Sequence, residues 1–155
     1  MNLKEIRLQK NLTQEEAAKI LGVTRRTYIN YENGKINEDS LKYKFIVDTL
    51  KKVNQIDEEH GILTVEQIKT ICNDIFKDYQ IEYCYLFGSY AKNKATEKSE
   101  IDLLVKMPID GMKYFELLEL LHELLGKKID LLTSTQLNNN DSLIDEILKY
   151  GIRIY

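Results

Sequence analysis

Apolar positions along the first fifty residues recur at helical spacing and are interrupted by turn residues at short intervals. Leu3, Ile6 and Leu8 interleave with Lys4, Arg7 and Lys10, which predicts an amphipathic helix ending near Asn11. Thr13 followed by Glu16 is a capping box, so a second helix is expected over 14–21, stopping at Gly22. Thr24 caps a third, over 25–33, that stops at Gly34. A fourth is expected over 40–53, with Leu41, Phe45, Ile46, Leu50 and Val53 along one side. The polar run Asp57-Glu58-Glu59-His60-Gly61 then reads as a linker. Beyond it the pattern alternates. Thr64 and Gln67 suggest another capping box ahead of a stripe of Ile68, Ile71, Cys72, Ile75 and Phe76. Strands are expected over 81–87, 101–105 and 128–132, helices over 112–125 and 141–150, and a last strand over 152–155. The chain therefore reads as two small domains: an all-α domain over 1–56, a linker over 57–62, and an α/β domain with a small mixed sheet over 63–155.

Composition narrows the classes. Apolar runs stay short of the roughly 18–20 residues a membrane helix needs, and the polar N-terminus is no secretory signal, so no membrane partner is expected. Cys72 and Cys84 lack metal-ligand spacing and read as buried thiols of a cytoplasmic protein, while His60 and His122 stand alone. Charge divides with the pattern. Residues 1–56 carry 11 Lys/Arg against 7 Asp/Glu, and residues 57–155 carry 11 against 18. A basic first third and an acidic remainder imply different partners.

Two short helices separated by Gly22-Val23-Thr24 have helix-turn-helix spacing. In such a motif the second helix enters the DNA major groove, and here its first residues are Thr24, Arg25, Arg26 and Thr27. Arginine donates bidentately to guanine, while Gln14, beside Thr13, sits where the preceding helix meets phosphate. Ala17, Ile20, Leu21, Val23, Tyr28 and Tyr31 are expected to face inward. Gln14, Ala18, Gly22-Val23-Thr24, Thr27, Tyr31-Glu32 and Gly34 closely resemble the lambda-repressor-like (XRE-type) DNA-binding family, over Leu3 to Val53. That resemblance implies operator DNA as a partner and self-association, as a homodimer or in a hetero-oligomer. A helical bundle that only docks or dimerises is the alternative.

The second domain carries a different chemistry. Gly88-Ser89 ends one predicted strand, and Glu100-Ile101-Asp102 opens the next. Alternation along a strand points Glu100 and Asp102 to one side, where they repel unless a cation lies between them. A turn such as Gly88-Ser89 offers N–H groups and a hydroxyl to phosphate. Asp130, in a third predicted strand, would complete a three-carboxylate cluster on a buried face. Gly-Ser, acid-x-Asp and a later Asp at these spacings resemble the nucleotidyltransferase superfamily, in particular its minimal members, from about Leu63 to Tyr155.

The resemblance implies a nucleotidyltransferase fold, two Mg²⁺ ions and ATP as substrate. Asp102 would bridge the metals and Glu100 would share them. Asp130 would bind the catalytic ion and help deprotonate an acceptor hydroxyl. Gly88 and Ser89 would hold phosphates, with Lys92 adding charge, while Lys94 and Lys98 read equally well as a solvated loop. Glu100 departs from the family pattern, which has Asp there, and one extra methylene shifts a ligand oxygen that Mg²⁺ holds at short range.

Helix-turn-helix plus minimal nucleotidyltransferase is similar to the antitoxins of HEPN/MNT toxin–antitoxin pairs. It implies a HEPN ribonuclease toxin as partner, neutralised by AMP transfer from ATP to a toxin tyrosine, and repression of the operon. Two alternatives stay open: an antitoxin and repressor that acts by binding alone, and an enzyme that modifies a small molecule such as an aminoglycoside.

Overall fold

Each helix of the N-terminal unit starts at a side chain that accepts from the backbone three residues on. Asn2, Thr13, Thr24 and Ser40 cap α1 (Leu3–Gln9), α2 (Gln14–Ile20), α3 (Arg25–Glu32) and α4 (Leu41–Lys52), and the first two are full capping boxes with Glu5 and Glu16. The computed structural model describes residues 1–108 and 111–155, and it divides into Met1–Gln55 and Ile56–Tyr155. The first unit buries Leu3, Ile6, Ala17, Ala18, Tyr28, Ile46 and Leu50, with Leu21, Val23, Tyr31, Tyr43 and Val47 packed around them.

Five expected core residues lie outside that cluster, Val53 being half-buried. Leu8, Ile20, Leu41 and Phe45 are exposed, Leu41 and Phe45 at 85% and 65%. The buried stripe of α4 is Tyr43, Ile46, Val47 and Leu50, and a 100° step per residue carries Leu41 and Phe45 off that face.

In the second unit α5 (Val65–Phe76) starts at the Thr64–Gln67 capping box. The sheet has the order β3-β2-β1-β4, formed by β1 (Tyr83–Phe87), β2 (Ile101–Lys106), β3 (Ile129–Thr133) and β4 (Ile152–Arg153). β1 runs antiparallel to β2 and β4, and β2 runs parallel to β3, so the sheet is mixed. One face is covered. Cys84, Leu86, Ile101, Leu103, Val105, Ile129 and Leu131 form a core with Ile68, Cys72 and Phe76 of α5 and Leu117, Leu121 and Leu125 of α7 (Gly111–Leu125). Both cysteines are buried free thiols, and burial pushes Cys72 up to about 12. The alternate positions of β2 and β3, Asp102 and Asp130 among them, therefore point to the opposite face.

Residues 57–62 fold within this second unit. Asp57 closes a turn by accepting from the N–H groups of Glu59 and His60, and the Gly61 N–H donates to Glu97. Lys127, fully buried, donates its ammonium to the backbone carbonyls of His60 and Glu97. Three carbonyl or carboxylate oxygens thus tie this turn to the loop ahead of β2. Among the described residues no helix is long and apolar enough to cross a membrane.

Candidate functional site

β1 ends at Phe87, paired in register with Asp102 of β2, and the chain turns at Gly88 into the short helix α6 (Gly88–Ala91). Gly88 has φ +68, and a Cβ there would lie 2.0 Å from Asp102 Oδ2. Glycine is required on both counts: the backbone is left-handed, and the carboxylate occupies the space a side chain would need. Asp130 is the register partner of Asp102 on β3, one strand spacing of about 4.8 Å away. The two aspartates are brought side by side as expected from alternation. Asp130 is exposed, however, and not on a buried face, because β3 is the edge strand and its outer face lies open.

Glu100 sits just before β2, and its carboxylate is bound by the Lys128 ammonium at 2.7 Å. Among the described residues no three acidic, histidine or cysteine side chains close around one point that could hold a metal. Asp102 nevertheless carries the mark of a site short of positive charge. Burial first, then Asp130, Glu100 and Glu146, push its carboxyl up to about 6, with Lys92 opposing. Crowded hard oxygen donors beside a backbone turn fit a divalent ion such as Mg²⁺ in chemistry. Lys92 caps α6 and pairs with Glu146 of α8 (Asp141–Tyr150), while Lys98 pairs with Glu59.

In the first unit Thr24 caps α3 by accepting from the Thr27 N–H, and the two hydroxyls lie 2.8 Å apart. Arg25 and Arg26 are exposed on the first turn of α3. Gln14, at the start of α2, accepts from Arg25 at 3.4 Å and donates to Glu32 at 3.0 Å. Glu32 in turn binds Arg7 at 2.6 Å, with side chains only 9% and 4% exposed. Burial pushes the Glu32 carboxyl up, but donation by Arg7 and Gln14 holds it below its ordinary value. Gln14 and Arg25 are thus linked to a buried ion pair. In the sequence Arg7 reads as one of the polar cations of α1 beside Lys4 and Lys10, since its partner is 25 positions away. Glu32→Ala would leave Arg7 buried without its partner, and the unit is expected to lose about 3 kcal/mol in denaturant unfolding.

A helix-turn-helix family profile matches residues 3–39, and a profile described as polymerase beta, nucleotidyltransferase matches residues 66–155. The chain belongs to that nucleotidyltransferase family. A candidate protein adenylyltransferase of Methanocaldococcus jannaschii is 42% identical over 82 residues, covering 49% of this chain and 84% of that one. Protein adenylyltransferase MntA of Thermococcus cleftensis is 32% identical over 86 residues, covering 51% and 86%. In fold, a candidate minimal nucleotidyltransferase aligns with a TM-score of 0.50 at 22% identity, over 60% of this chain and 98% of that one. This nucleotidyltransferase therefore couples a helix-turn-helix domain to a minimal catalytic fold.

Two residues of the site carry no family motif. Glu146 stands on an amphipathic helix where an acid reads as a solvated face. Lys128 reads as the polar lead into a strand. Their roles come from pairing across 54 and 28 positions, which no local pattern reveals.

Proposed function

We propose that this nucleotidyltransferase is an antitoxin that transfers AMP from ATP to a tyrosine of a HEPN ribonuclease toxin. The observation that carries it is the Gly88–Asp102–Asp130 arrangement, a glycine turn pressed against one of two register-paired aspartates. The relatives named protein adenylyltransferases support a protein acceptor.

In this reading Asp102 and Asp130, joined by Glu100 if it leaves Lys128, would hold two Mg²⁺ ions. Bound Mg²⁺ supplies the positive charge that triphosphate and carboxylates both need. The Gly88–Ser89 turn and Lys92 receive the phosphates. Asp130, open to solvent at the sheet edge, takes the proton of the acceptor tyrosine. The tyrosine oxygen bonds the α-phosphorus, the bond to the bridging oxygen breaks, and pyrophosphate leaves. Mass spectrometry of toxin peptides after incubation with ATP and Mg²⁺ tests this. AMP on a tyrosine is the expected result, and an unmodified toxin overturns it.

The Glu100–Lys128 ion pair favours one second reading, an antitoxin that works by binding alone, because it spends the first acid of the site on a neighbouring lysine. The helix-turn-helix domain would repress the operon in either case. Arg25→Ala with Arg26→Ala is expected to weaken operator binding at least tenfold in a gel-shift titration, since a good arginine–guanine contact is worth about 1–3 kcal/mol. Unchanged binding would remove these arginines from the interface.

A further inference from the structure

Helix α8 reaches the nucleotide site through Glu146, which pairs with Lys92 of α6. The two side chains are 31% and 30% exposed, shielded enough for the pair to persist and open enough for a ligand to reach the ammonium. One turn further along α8, the Tyr150 ring centroid lies 5.4 Å from the same Lys92 nitrogen. Lysine is a flexible point charge on a four-carbon stem, and its position must be fixed from outside. Here a carboxylate and a ring face, both from α8, fix it. Lys92 and Glu146 also both act on Asp102, so the pair lies within electrostatic reach of the carboxylates.

We infer that Glu146 is a positioning residue for nucleotide binding: it holds the Lys92 ammonium at the rim of the Asp102 site, where a triphosphate is received. The inference rests on the nucleotide site proposed above and adds the residue that presets its cation. An ammonium already held in place loses less freedom when phosphate arrives, so the effect falls on nucleotide binding and not on the transfer step.

Glu146→Gln keeps the shape and removes the charge. It is expected to raise the KM for ATP about fivefold, the scale of one partly exposed pair, with kcat within about twofold of wild type. Reversal of the pair, Lys92→Glu with Glu146→Lys, separates positioning from a staple between helices. It is expected to restore the melting temperature but not the KM, because the ammonium then issues from α8. A KM for ATP that stays constant or falls in Glu146→Gln overturns the inference, and so does full recovery of KM in the reversed pair. Titration with a fluorescent ATP analogue repeats the comparison without any acceptor. Wild-type protein that binds the analogue but modifies no toxin overturns the proposed function. Equal analogue affinity in wild type and Glu146→Gln overturns this inference alone.

Discussion

Asp102→Asn is expected to lose AMP transfer by on the order of a thousand-fold, the scale of one preorganised charge partner, and to melt no lower than wild type when Mg²⁺ is withheld. Both halves come from the same crowding. Asp102 is held up to about 6, against 3.8 for an unconstrained aspartate, by burial and by Asp130, Glu100 and Glu146. A carboxyl with a raised folded pKa binds its proton more readily in the folded state. Folding stability therefore falls as pH rises from about 4 through about 6, and at neutral pH the charged form carries its full cost. The asparagine removes that cost together with the charge that would attract a cation. A melting curve with and without Mg²⁺ separates the two: wild type is expected to gain stability from the ion, and Asp102→Asn to gain little. A variant that melts well below wild type without Mg²⁺ would show that Asp102 is a structural carboxylate.

Gly88→Ala is expected to cost activity on the second-largest scale, although it replaces no charged group. The added methyl would sit 2.0 Å from Asp102 Oδ2 and 2.7 Å from its Cγ, at a φ of +68. Left-handed backbone costs an alanine about 1–2 kcal/mol, and relief of the clash must move either the Asp102 carboxylate or the turn. A displacement of about 1 Å at a reacting site costs on the order of a hundred-fold in rate. Transfer is therefore expected to fall by about that factor and the melting temperature to drop. Gly22→Ala is the control: its φ is +65 but nothing lies within 4 Å of the added methyl, so it pays the backbone cost without the clash. Equal transfer by Gly88→Ala and wild type would separate the turn from the chemistry.

The architecture was legible where the signal was local. Thr13, Thr24 and Thr64 mark helix starts because a cap and the backbone N–H that donates to it lie three residues apart, and all three cap in the structure. That Asp102 and Asp130 would meet if their strands lay side by side could be anticipated, because period-two alternation fixes the face of each strand residue; the adjacency and register come from the fold. The errors arose where the reading needed to know which neighbours cover a face. Leu41 and Phe45 carry apolar side chains on the outer side of α4, and Asp130 looks buried between Ile129 and Leu131 until β3 is seen to be an edge. The pairs Lys92–Glu146, Glu100–Lys128 and Arg7–Glu32 join distant elements, and only the tertiary fold brings them together.

Toxin neutralisation by wild type and by Asp102→Ala, measured in parallel with transfer of α-phosphate-labelled ATP to the toxin, tests the central claim most directly. The account predicts label on a toxin tyrosine and loss of ribonuclease activity with wild type, and neither with Asp102→Ala. Neutralisation that persists in Asp102→Ala without any label would contradict it and leave an antitoxin that acts by contact alone.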